Sequence, residues 1–511
     1  MCGILFTNNP SIDREKFLKA LSLMYHRGPD VPLCYLEYNN FKLGHNRLKI
    51  IDLSDRSNQP FFSKSKKHVI IYNGEIYNYL HLAREHNINL STNSDTELLI
   101  ELYEKYGYKM LNWLNGMFAF VIINTETNNF FAARDRLGVK PLYWYSKNGN
   151  VILSSEIAPI IELTGESQKD EIGIRQYRKL RTFFNNRTLY KNIKMFPAGH
   201  YLENNKLQKY WELPLEEKQP PSDEELKFLI EDAVNLRCIS DVPVGSYLSG
   251  GLDSTIVAAL SGKPHTWTVG FHDNNEFKWA KLASEFIKSV HHEVLIDKDE
   301  FLDLTEKLVR IRKEPLSVPN EVLIYKMTKE VKQYNTVILS GEGADELFAG
   351  YDRIFRWAAS SDWNLKEFTR LYSYGSNEDY EIVEDVISPY LKYQKNFDII
   401  TAFFQTAHLH GLLRRLDNST MLCSVEAREP FCDYRLVERL AGVDFTYKLN
   451  DGIVKAPLKR IFKTVIPQEI IERPKVGFPV DLKSIFPNTE DNKTPMDRWL
   501  EFNLKILNIE L

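Results

Sequence analysis

Two different patterns of apolar residues divide the chain into two parts. In the first part, short runs rich in β-branched and aromatic residues recur at 41–51, 68–72, 117–123 and 151–154. Helical periodicity interrupts these runs at 14–25 and 95–106. Because strands and helices do not alternate strictly, the pattern predicts an α+β sandwich of stacked antiparallel sheets.

In the second part, strand and helix patterns alternate. Apolar strand-like runs lie at 242–248, 266–271, 292–296 and 336–339, and helical stretches lie at 254–260, 276–289 and 320–334. This alternation predicts βαβ units and therefore an α/β parallel sheet covered by helices. After about residue 352 the pattern becomes largely helical.

A polar, proline-rich stretch at 213–221 separates the two parts and is typical of a linker. The run from Ser222 to Glu225 then has the spacing of a helix capping box. A chain of 511 residues is long enough for two to four domains. We therefore expect one domain over 2–212 and a second over 222–511.

Composition and charge exclude several classes of protein. The net charge of −4 gives no basic footprint for nucleic acid or a membrane surface, and no apolar run approaches the roughly 18 residues that span a bilayer. No secretory signal is recognisable at the N-terminus. The cysteines lack CxxC spacing, so we expect a reducing compartment and a cytoplasmic location. The cysteines are Cys2, Cys34, Cys238, Cys423 and Cys432.

Cys2 is a candidate N-terminal nucleophile. The side chain that follows Met1 is small, so removal of Met1 is expected and would leave a thiol and a free α-amine on one residue. A terminal amine titrates at roughly 7.7–8.0 and can take the proton of its own thiol. The alternative is a cysteine that lies near the start of the chain by chance. Residues farther along the chain distinguish between these two interpretations.

Four polar residues near the predicted strand ends suit the hydrolysis of glutamine. The Asn73 amide and the Gly74 N–H could stabilise an oxyanion, Arg47 could bind an α-carboxylate, and Asp95 could bind an α-ammonium group. Each has an ordinary alternative: an Asn-Gly hairpin turn, a solvated strand charge, or the helix cap suggested by 94–97. Their combination favours a glutamine site.

Several runs together resemble the glutaminase domain of the class II, N-terminal-nucleophile glutamine amidotransferases. The resemblance implies an Ntn-hydrolase-type sandwich and adds Glu75 to the glutamine-binding residues. The matching runs are Cys2-Gly-Ile, His26-Arg-Gly-Pro-Asp, Gly44-His-Asn-Arg-Leu, Asn73-Gly-Glu-Ile-Tyr-Asn, Ser94-Asp and Arg134-Asp-Arg-Leu-Gly-Val-Lys-Pro-Leu-Tyr.

Two glycine-rich loops follow strands of the second part, at the edge where open α/β sheets bind ligands. In the first loop, 249–255, paired glycines and a helix N-terminus suit an anion, although no Walker sequence is present. In the second loop, 340–346, carboxylates between glycines suit Mg²⁺. The ordinary alternatives are a flexible strand–helix turn and an acidic helix start.

The first loop, Ser249-Gly-Gly-Leu-Asp-Ser, resembles the PP-loop of the ATP pyrophosphatase family. Together with the runs at 424–433, 455–460 and 473–479, it makes the second part similar to the synthetase half of glutamine-hydrolysing asparagine synthetases, with an adenine-nucleotide hydrolase-like fold. The ATP-binding residues implied are Leu248, Ser249, Gly250, Gly251, Asp253, Ser254, Val269, Ser340 and Gly341. The magnesium ligands implied are Asp253, Glu342 and Asp345, and Lys455 is implied to stabilise the charge of the transition states.

The resemblance implies glutamine hydrolysis at Cys2 and ATP-dependent amidation of L-aspartate through an acyl-adenylate. The segment 314–322 differs from the Thr-Ile-Arg-Ala-Ser-like run of many relatives, so another acceptor, such as a sugar acid, stays open. A non-catalytic relative and a β-lactam-forming synthetase are further alternatives, against which the presence of Cys2 speaks. We expect glutamine, aspartate and ATP as partners, without nucleic acid or membrane. A homodimer is an open alternative.

Overall fold

The computed structural model describes residues 2–450, 452–474, 480–487 and 493–509. The strands of the N-terminal part are β1 (Cys2–Thr7), β2 (Cys34–Tyr38), β3 (Phe41–Arg47), β4 (Phe61–Phe62), β5 (His68–Ile76), β6 (Gly116–Asn124), β7 (Asn129–Arg134), β8 (Tyr143–Lys147), β9 (Asn150–Ser154), β10 (Ile193–Met195), β11 (His200–Glu203) and β12 (Lys206–Lys209). Its helices are α1 (Arg14–Ser22), α2 (Tyr79–Glu85), α3 (Asp95–Tyr106), α4 (Ile157–Thr164) and α5 (Glu171–Leu180).

These strands form two antiparallel sheets stacked face to face. Their orders are β10-β8-β9-β1-β3-β2 and β12-β11-β7-β6-β5-β4. Ile4 and Phe6 of the first sheet pack with Val69, Ile71 and other buried residues of the second. Alternate side chains of a strand point to one face, which is why these β-branched and aromatic runs can close a core between two sheets. The predicted α+β sandwich is confirmed.

The C-terminal part contains a parallel sheet and many helices. Its strands are β13 (Val244–Tyr247), β14 (His265–Gly270), β15 (Val290–Leu295), β16 (Val337–Leu339), β17 (Glu426–Arg428), β18 (Leu449–Asn450) and β19 (Ile453–Val454). Its helices are α6 (Asp223–Arg237), α7 (Leu252–Ser261), α8 (Phe277–Ile287), α9 (Lys298–Arg312), α10 (Asn320–Val331), α11 (Ala344–Leu347), α12 (Asp352–Ser360), α13 (Leu365–Tyr372), α14 (Tyr380–Ile387), α15 (Asn396–Phe403), α16 (Leu409–Met421), α17 (Tyr434–Ala441), α18 (Phe445–Lys448), α19 (Ala456–Ile461), α20 (Gln468–Glu472), α21 (Leu482–Ile485) and α22 (Pro495–Ile506).

The parallel sheet has the order β15-β14-β13-β16-β17, which confirms the predicted α/β fold with a helical C-terminal part. The sequence pattern misses β17. This strand is only three residues long and carries two charged side chains, so it lacks an apolar signature. It pairs with β16 in parallel, and Leu339 lies opposite Arg428.

Three local details differ from the interpretation of the sequence. Asn73 and Gly74 lie inside β5 and not beyond the end of the strand predicted at 68–72, and the alternative of a hairpin turn is wrong as well. Ser94 caps α3, but the Glu97 carboxylate accepts hydrogen bonds from the Ser91 and Thr92 backbone and not from the cap. Ser222 likewise caps α6, whereas the Glu225 carboxylate pairs with Arg439.

Buried polar contacts join the two parts directly. The Arg27 guanidinium donates to Asp417 at 2.9 Å, and the Asn115 amide donates to Asp433 at 3.1 Å. Buried charges are tolerated only when they are paired, so these contacts fix how the two parts pack. Among the described helices, none is long and apolar enough to span a membrane.

Candidate functional site

Cys2 opens β1 in the middle of the first sheet. In the antiparallel pairing of β1 with β3, Cys2 lies opposite Arg47. The Cys2 backbone N–H donates to the Asn73 side-chain oxygen at 2.9 Å, which joins β1 to the second sheet. The cysteine is buried, and burial raises the pKa of its thiol, while Arg47 acts in the opposite direction. A thiolate at this position therefore needs a base close by.

The predicted oxyanion donors lie on β5, beside Cys2. A Cβ on Gly74 would come within 2.1 Å of the Met117 carbonyl oxygen, so only glycine allows β6 to approach this closely. The Asn73 side-chain nitrogen is buried and has no hydrogen-bond partner among the described residues. Because a buried donor without a partner is costly, this nitrogen is suited to a substrate oxygen.

Asp95 lies at the first turn of α3 and faces Cys2 across a small cavity. Its Oδ2 accepts from the Tyr72 hydroxyl at 2.9 Å and from the Ile76 N–H at 2.8 Å. Burial raises the pKa of Asp95 to about 6. Burial also raises the pKa of the neighbouring Glu75 carboxyl, with Asp95 as a second cause.

The cavity between these residues has a volume of about 30 Å³ and is lined by Cys2, Arg47, Gly74, Glu75 and Asp95 among others. This space holds no more than one or two water molecules, so glutamine requires its walls to move apart. The Arg47 guanidinium donates to the Ser54 carbonyl and the Asn58 side chain, both at 2.7 Å. To bind a substrate carboxylate, it must exchange these partners.

The first glycine-rich loop connects β13 to α7. The Ser254 hydroxyl accepts from the Ser249 N–H at 3.2 Å, and the Ser249 hydroxyl accepts from the Gly251 N–H at 3.3 Å. Gly250 has a φ of +70°, and a Cβ there would come within 2.4 Å of the Trp279 backbone. The loop is thus a tight turn at a helix N-terminus, a geometry that suits phosphate.

The second glycine-rich loop lies against the first. A Cβ on Gly341 would approach the Ser254 nitrogen to 2.9 Å, so the two backbones are in contact. The Lys455 ammonium bridges the loops, at 2.5 Å from Asp253 and 2.6 Å from Asp345. Although burial opposes it, the two carboxylates raise the pKa of Lys455, which keeps this lysine charged.

Leu248 and Val269 are buried near the ends of β13 and β14, beside the first loop. The sequence analysis missed Arg415 of α16, which donates to Glu342 of the second loop and to the Asn320 side chain, the latter at 3.2 Å. An Arg-Arg pair in a helix looks like a solvated face, so no sequence signal identified it. In the run at 473–479, residues 475–479 lie outside the described residues, as does Met1.

The structure thus brings the predicted residues together in two separate groups. Cys2, Gly74 and Asp95 line a small cavity that must widen to admit glutamine, and Asn73 is hydrogen-bonded to Cys2 beside it. The loops at 249–255 and 340–346, linked by Lys455, present backbone N–H groups, carboxylates and a cation at one sheet edge. That combination can hold a nucleotide and activate a carboxylate by adenylation.

Comparisons with known proteins identify one family model for each part of the chain. The asparagine synthase model matches residues 225–501, and the glutamine amidotransferase domain model matches residues 1–211. A putative glutamine-hydrolyzing asparagine synthetase 2 of Methanocaldococcus jannaschii is 34% identical over 391 residues, covering 69% of this chain and 76% of the relative. Glutamine-hydrolyzing asparagine synthetase 1 of Bacillus subtilis is 29% identical, covering 98% and 89%. Asparagine synthetase B of Escherichia coli K12 is 27% identical, covering 94% and 82%.

Proposed function

Because the chain belongs to the glutamine-hydrolysing asparagine synthetase family, we propose that it converts L-aspartate to L-asparagine. As a member it is an ATP-dependent carbon–nitrogen ligase that takes its nitrogen from glutamine. The observation that carries the proposal for the acceptor half is Lys455, whose ammonium lies within 2.6 Å of both Asp253 and Asp345. One cation is thereby held where the two glycine-rich loops meet.

In the glutaminase half, the Cys2 thiolate attacks the side-chain carbonyl carbon of glutamine. A C–S bond forms, the Asn73 amide and the Gly74 N–H stabilise the oxyanion, and the C–N bond breaks to release ammonia. Water then cleaves the thioester to glutamate. Asp95 and Glu75 hold the α-ammonium end, and Arg47 holds the α-carboxylate.

The base for the Cys2 thiol is its own α-amine after loss of Met1. Burial of the thiol supports this assignment. Because burial raises the pKa of the thiol, formation of the thiolate requires a proton acceptor next to the sulfur. Intact-mass measurement of the purified protein tests it. We expect a mass without Met1, whereas a retained Met1 on active protein contradicts the free-amine mechanism.

In the synthetase half, a carboxylate oxygen of the acceptor attacks the α-phosphorus of ATP, and pyrophosphate leaves. Ammonia then attacks the carbonyl carbon of the acyl-adenylate, the C–O bond to AMP breaks, and an amide results. Lys455 stabilises the charge that develops on the phosphate oxygens. Leu248, Val269 and the N–H groups of the two loops hold the nucleotide.

Two of the three residues predicted to hold Mg²⁺ lie close enough together to share this ion with a phosphate, whereas no group of three or more such side chains among the described residues could hold a metal by itself. Asp253 and Asp345 converge on one ammonium, and Glu342 comes from the same loop as Asp345. Carboxylate oxygens beside a phosphate site are the ligands that Mg²⁺ prefers. When bound, the ion would neutralise phosphate charge, and Lys455 would retain one fewer carboxylate partner.

A second acceptor class is favoured by the segment 314–322. This segment contains no arginine of its own. The Asn320 side-chain oxygen accepts a hydrogen bond from Arg415, which lies on α16. Glu321 is bound by Arg312 and by the Ser317 N–H. Because the segment lacks the arginine of the Thr-Ile-Arg-Ala-Ser-like run, a sugar acid is a candidate acceptor with the same chemistry.

Pyrophosphate release distinguishes the two acceptors. The purified enzyme is given ATP, Mg²⁺ and ammonium with either L-aspartate or D-glucuronate, and pyrophosphate is measured with an enzyme-coupled assay. We expect release with L-aspartate at least tenfold above the reaction without acceptor. Release with D-glucuronate alone would replace aspartate by a sugar acid, and release with neither would contradict both acceptors.

We further propose two domains, 2–212 and 222–511, and a cytoplasmic location. The family matches at 1–211 and 225–501 support these boundaries. All five cysteines lie in described residues and are free, which supports a reducing compartment. Size-exclusion chromatography with light scattering decides between monomer and homodimer.

A further inference from the structure

Arg428 of β17 lies between the two groups of residues and contacts both. Its Nη2 is 3.7 Å from the Glu75 carboxylate in the glutamine cavity. Its backbone carbonyl accepts the Ser340 N–H at 2.9 Å, at the first residue of the second glycine-rich loop. One residue thus connects a predicted glutamine-binding carboxylate with the predicted ATP loop.

The Arg428 guanidinium is fully buried and tightly held. Its Nε donates to Glu426 at 2.5 Å, and its Nη1 donates to the carbonyls of Arg237 at 2.9 Å and Ile239 at 2.6 Å. These carbonyls close the C-terminal end of α6, where a cation is favoured by the helix dipole. Because a buried charge that loses its partners is costly, the guanidinium cannot move independently of these elements.

The backbone of Arg428 is equally constrained. Leu339, the last residue of β16, pairs with Arg428 in parallel register, and the loop begins at the next residue. A shift of the loop when a nucleotide binds would therefore displace β17 and, with it, the guanidinium. At the other end, Nη2 makes no hydrogen bond among the described residues, so a small displacement changes its distance from Glu75.

We infer that Arg428 is a positioning residue that couples ATP binding to glutamine binding. Occupation of the loop at 340–346 sets the position of the guanidinium, and the guanidinium sets the position and charge of the Glu75 carboxylate. The inference rests on the proposed assignment of the two sites. By thermodynamic linkage, the effect of ATP on glutamine affinity must equal the effect of glutamine on ATP affinity.

The test compares the full-length wild type with R428M and a matched control, R136M. Arg136 is a buried arginine of the N-terminal part that donates to the Leu114 carbonyl at 2.6 Å. Its Cζ lies 4.0 Å from the ring centre of Tyr434, which belongs to the C-terminal part. Arg136 contacts neither site. Glutamate release is measured over a range of glutamine concentrations with and without Mg²⁺–ATP. Because linkage applies to equilibrium binding, the dissociation constants of ATP and of glutamine, each with and without the other ligand, are measured calorimetrically with every variant in the C2A background.

In the wild type we expect each ligand to change the affinity of the other by the same factor, about fivefold or more. R428M should reduce both factors below about twofold, and it should change the KM for glutamine more than kcat because Cys2 and Asn73 are untouched. R136M should keep the wild-type factor. R428K should give an intermediate factor, since an ammonium can pair with Glu426 but lacks the second arm that faces Glu75.

Wild-type coupling in R428M, or no coupling in the wild type, would overturn the inference. If R428M does not fold, judged by circular dichroism against R136M, R428K decides, and an unchanged coupling factor there is a negative result. Failure of the proposed function looks different. The wild type itself would then release no glutamate from glutamine or would not bind ATP, whatever happens at position 428.

Discussion

The proposed glutamine cavity around Cys2 and the proposed nucleotide loops at 249–255 and 340–346 are assembled in opposite ways. The glutamine cavity is formed by β1, β3, β5 and the start of α3, and its polar groups are held largely by backbone hydrogen bonds. At the nucleotide loops, the charged side chains are held by ion pairs with one another. Lys455 pairs with Asp253 across 202 positions of sequence, and Arg415 pairs with Glu342 across 73.

This difference suits the charges of the two proposed substrates. Glutamine carries no net charge at neutral pH, so a few hydrogen-bonded side chains, such as Arg47 and Asp95, suffice to bind its two charged ends once the cavity has widened. ATP with Mg²⁺ brings large charges of both signs, and buried charges are stable only when paired. The pairs at Lys455 and Arg415 neutralise the protein's own charges and can exchange partners when the nucleotide binds. Three experiments would break or sharpen this comparison.

The largest effect is expected for Cys2→Ala. Removing a nucleophile costs at least about 10⁴-fold in rate, so glutamate release from glutamine should disappear. Pyrophosphate release with ammonium should remain within about twofold of wild type, because the side chains that hydrogen-bond to Cys2 among the described residues are those of Asn73 and Arg27, which lie outside the nucleotide loops. Glutamate and pyrophosphate are measured in parallel, with C34A as a control at a half-buried cysteine. Loss of both activities would mean that the sites are not independent.

Asp345→Asn should have the converse effect. Loss of the charge removes one of the two carboxylates within 2.6 Å of Lys455 and a predicted ligand for Mg²⁺. We expect pyrophosphate release to fall by about 10²–10³-fold while glutamate release is retained. D352N is the control, because Asp352 pairs with Arg356 on α12. A variant with unchanged pyrophosphate release would remove Asp345 from the site.

The smallest effect concerns pH. Burial raises the pKa of Asp95 to about 6, and the α-ammonium group of glutamine requires the ionised carboxylate. As the pH falls through this value the carboxylate is protonated, so the KM for glutamine should rise, by about tenfold per pH unit below it. Steady-state glutamate release between pH 5 and 8 measures this. D95N should have a high KM throughout that does not vary with pH, and a wild-type slope in D95N would assign the effect elsewhere.

The sequence by itself predicted the two fold classes, which the structure confirms, and it named candidate residues that the structure brings together in two groups. Runs of β-branched residues form strands and glycine-rich loops allow close backbone approach, and both properties are local, so they can be read from neighbouring positions. Cys2, the Asn73-Gly74 pair and the two loops were proposed as candidates in this way. The position of Asn73 and Gly74 inside a strand was not, because pairing with β6 overrides the local preference for a turn.

Only the tertiary structure decided which charges meet. No local pattern indicates that Lys455 bridges Asp253 and Asp345, that Arg415 holds Glu342, or that Arg428 contacts Glu75. The strand that carries Arg428 has no apolar signature either. Contacts between distant positions arise from how strands and helices pack, and a long charged side chain reads as solvated in sequence until packing buries it.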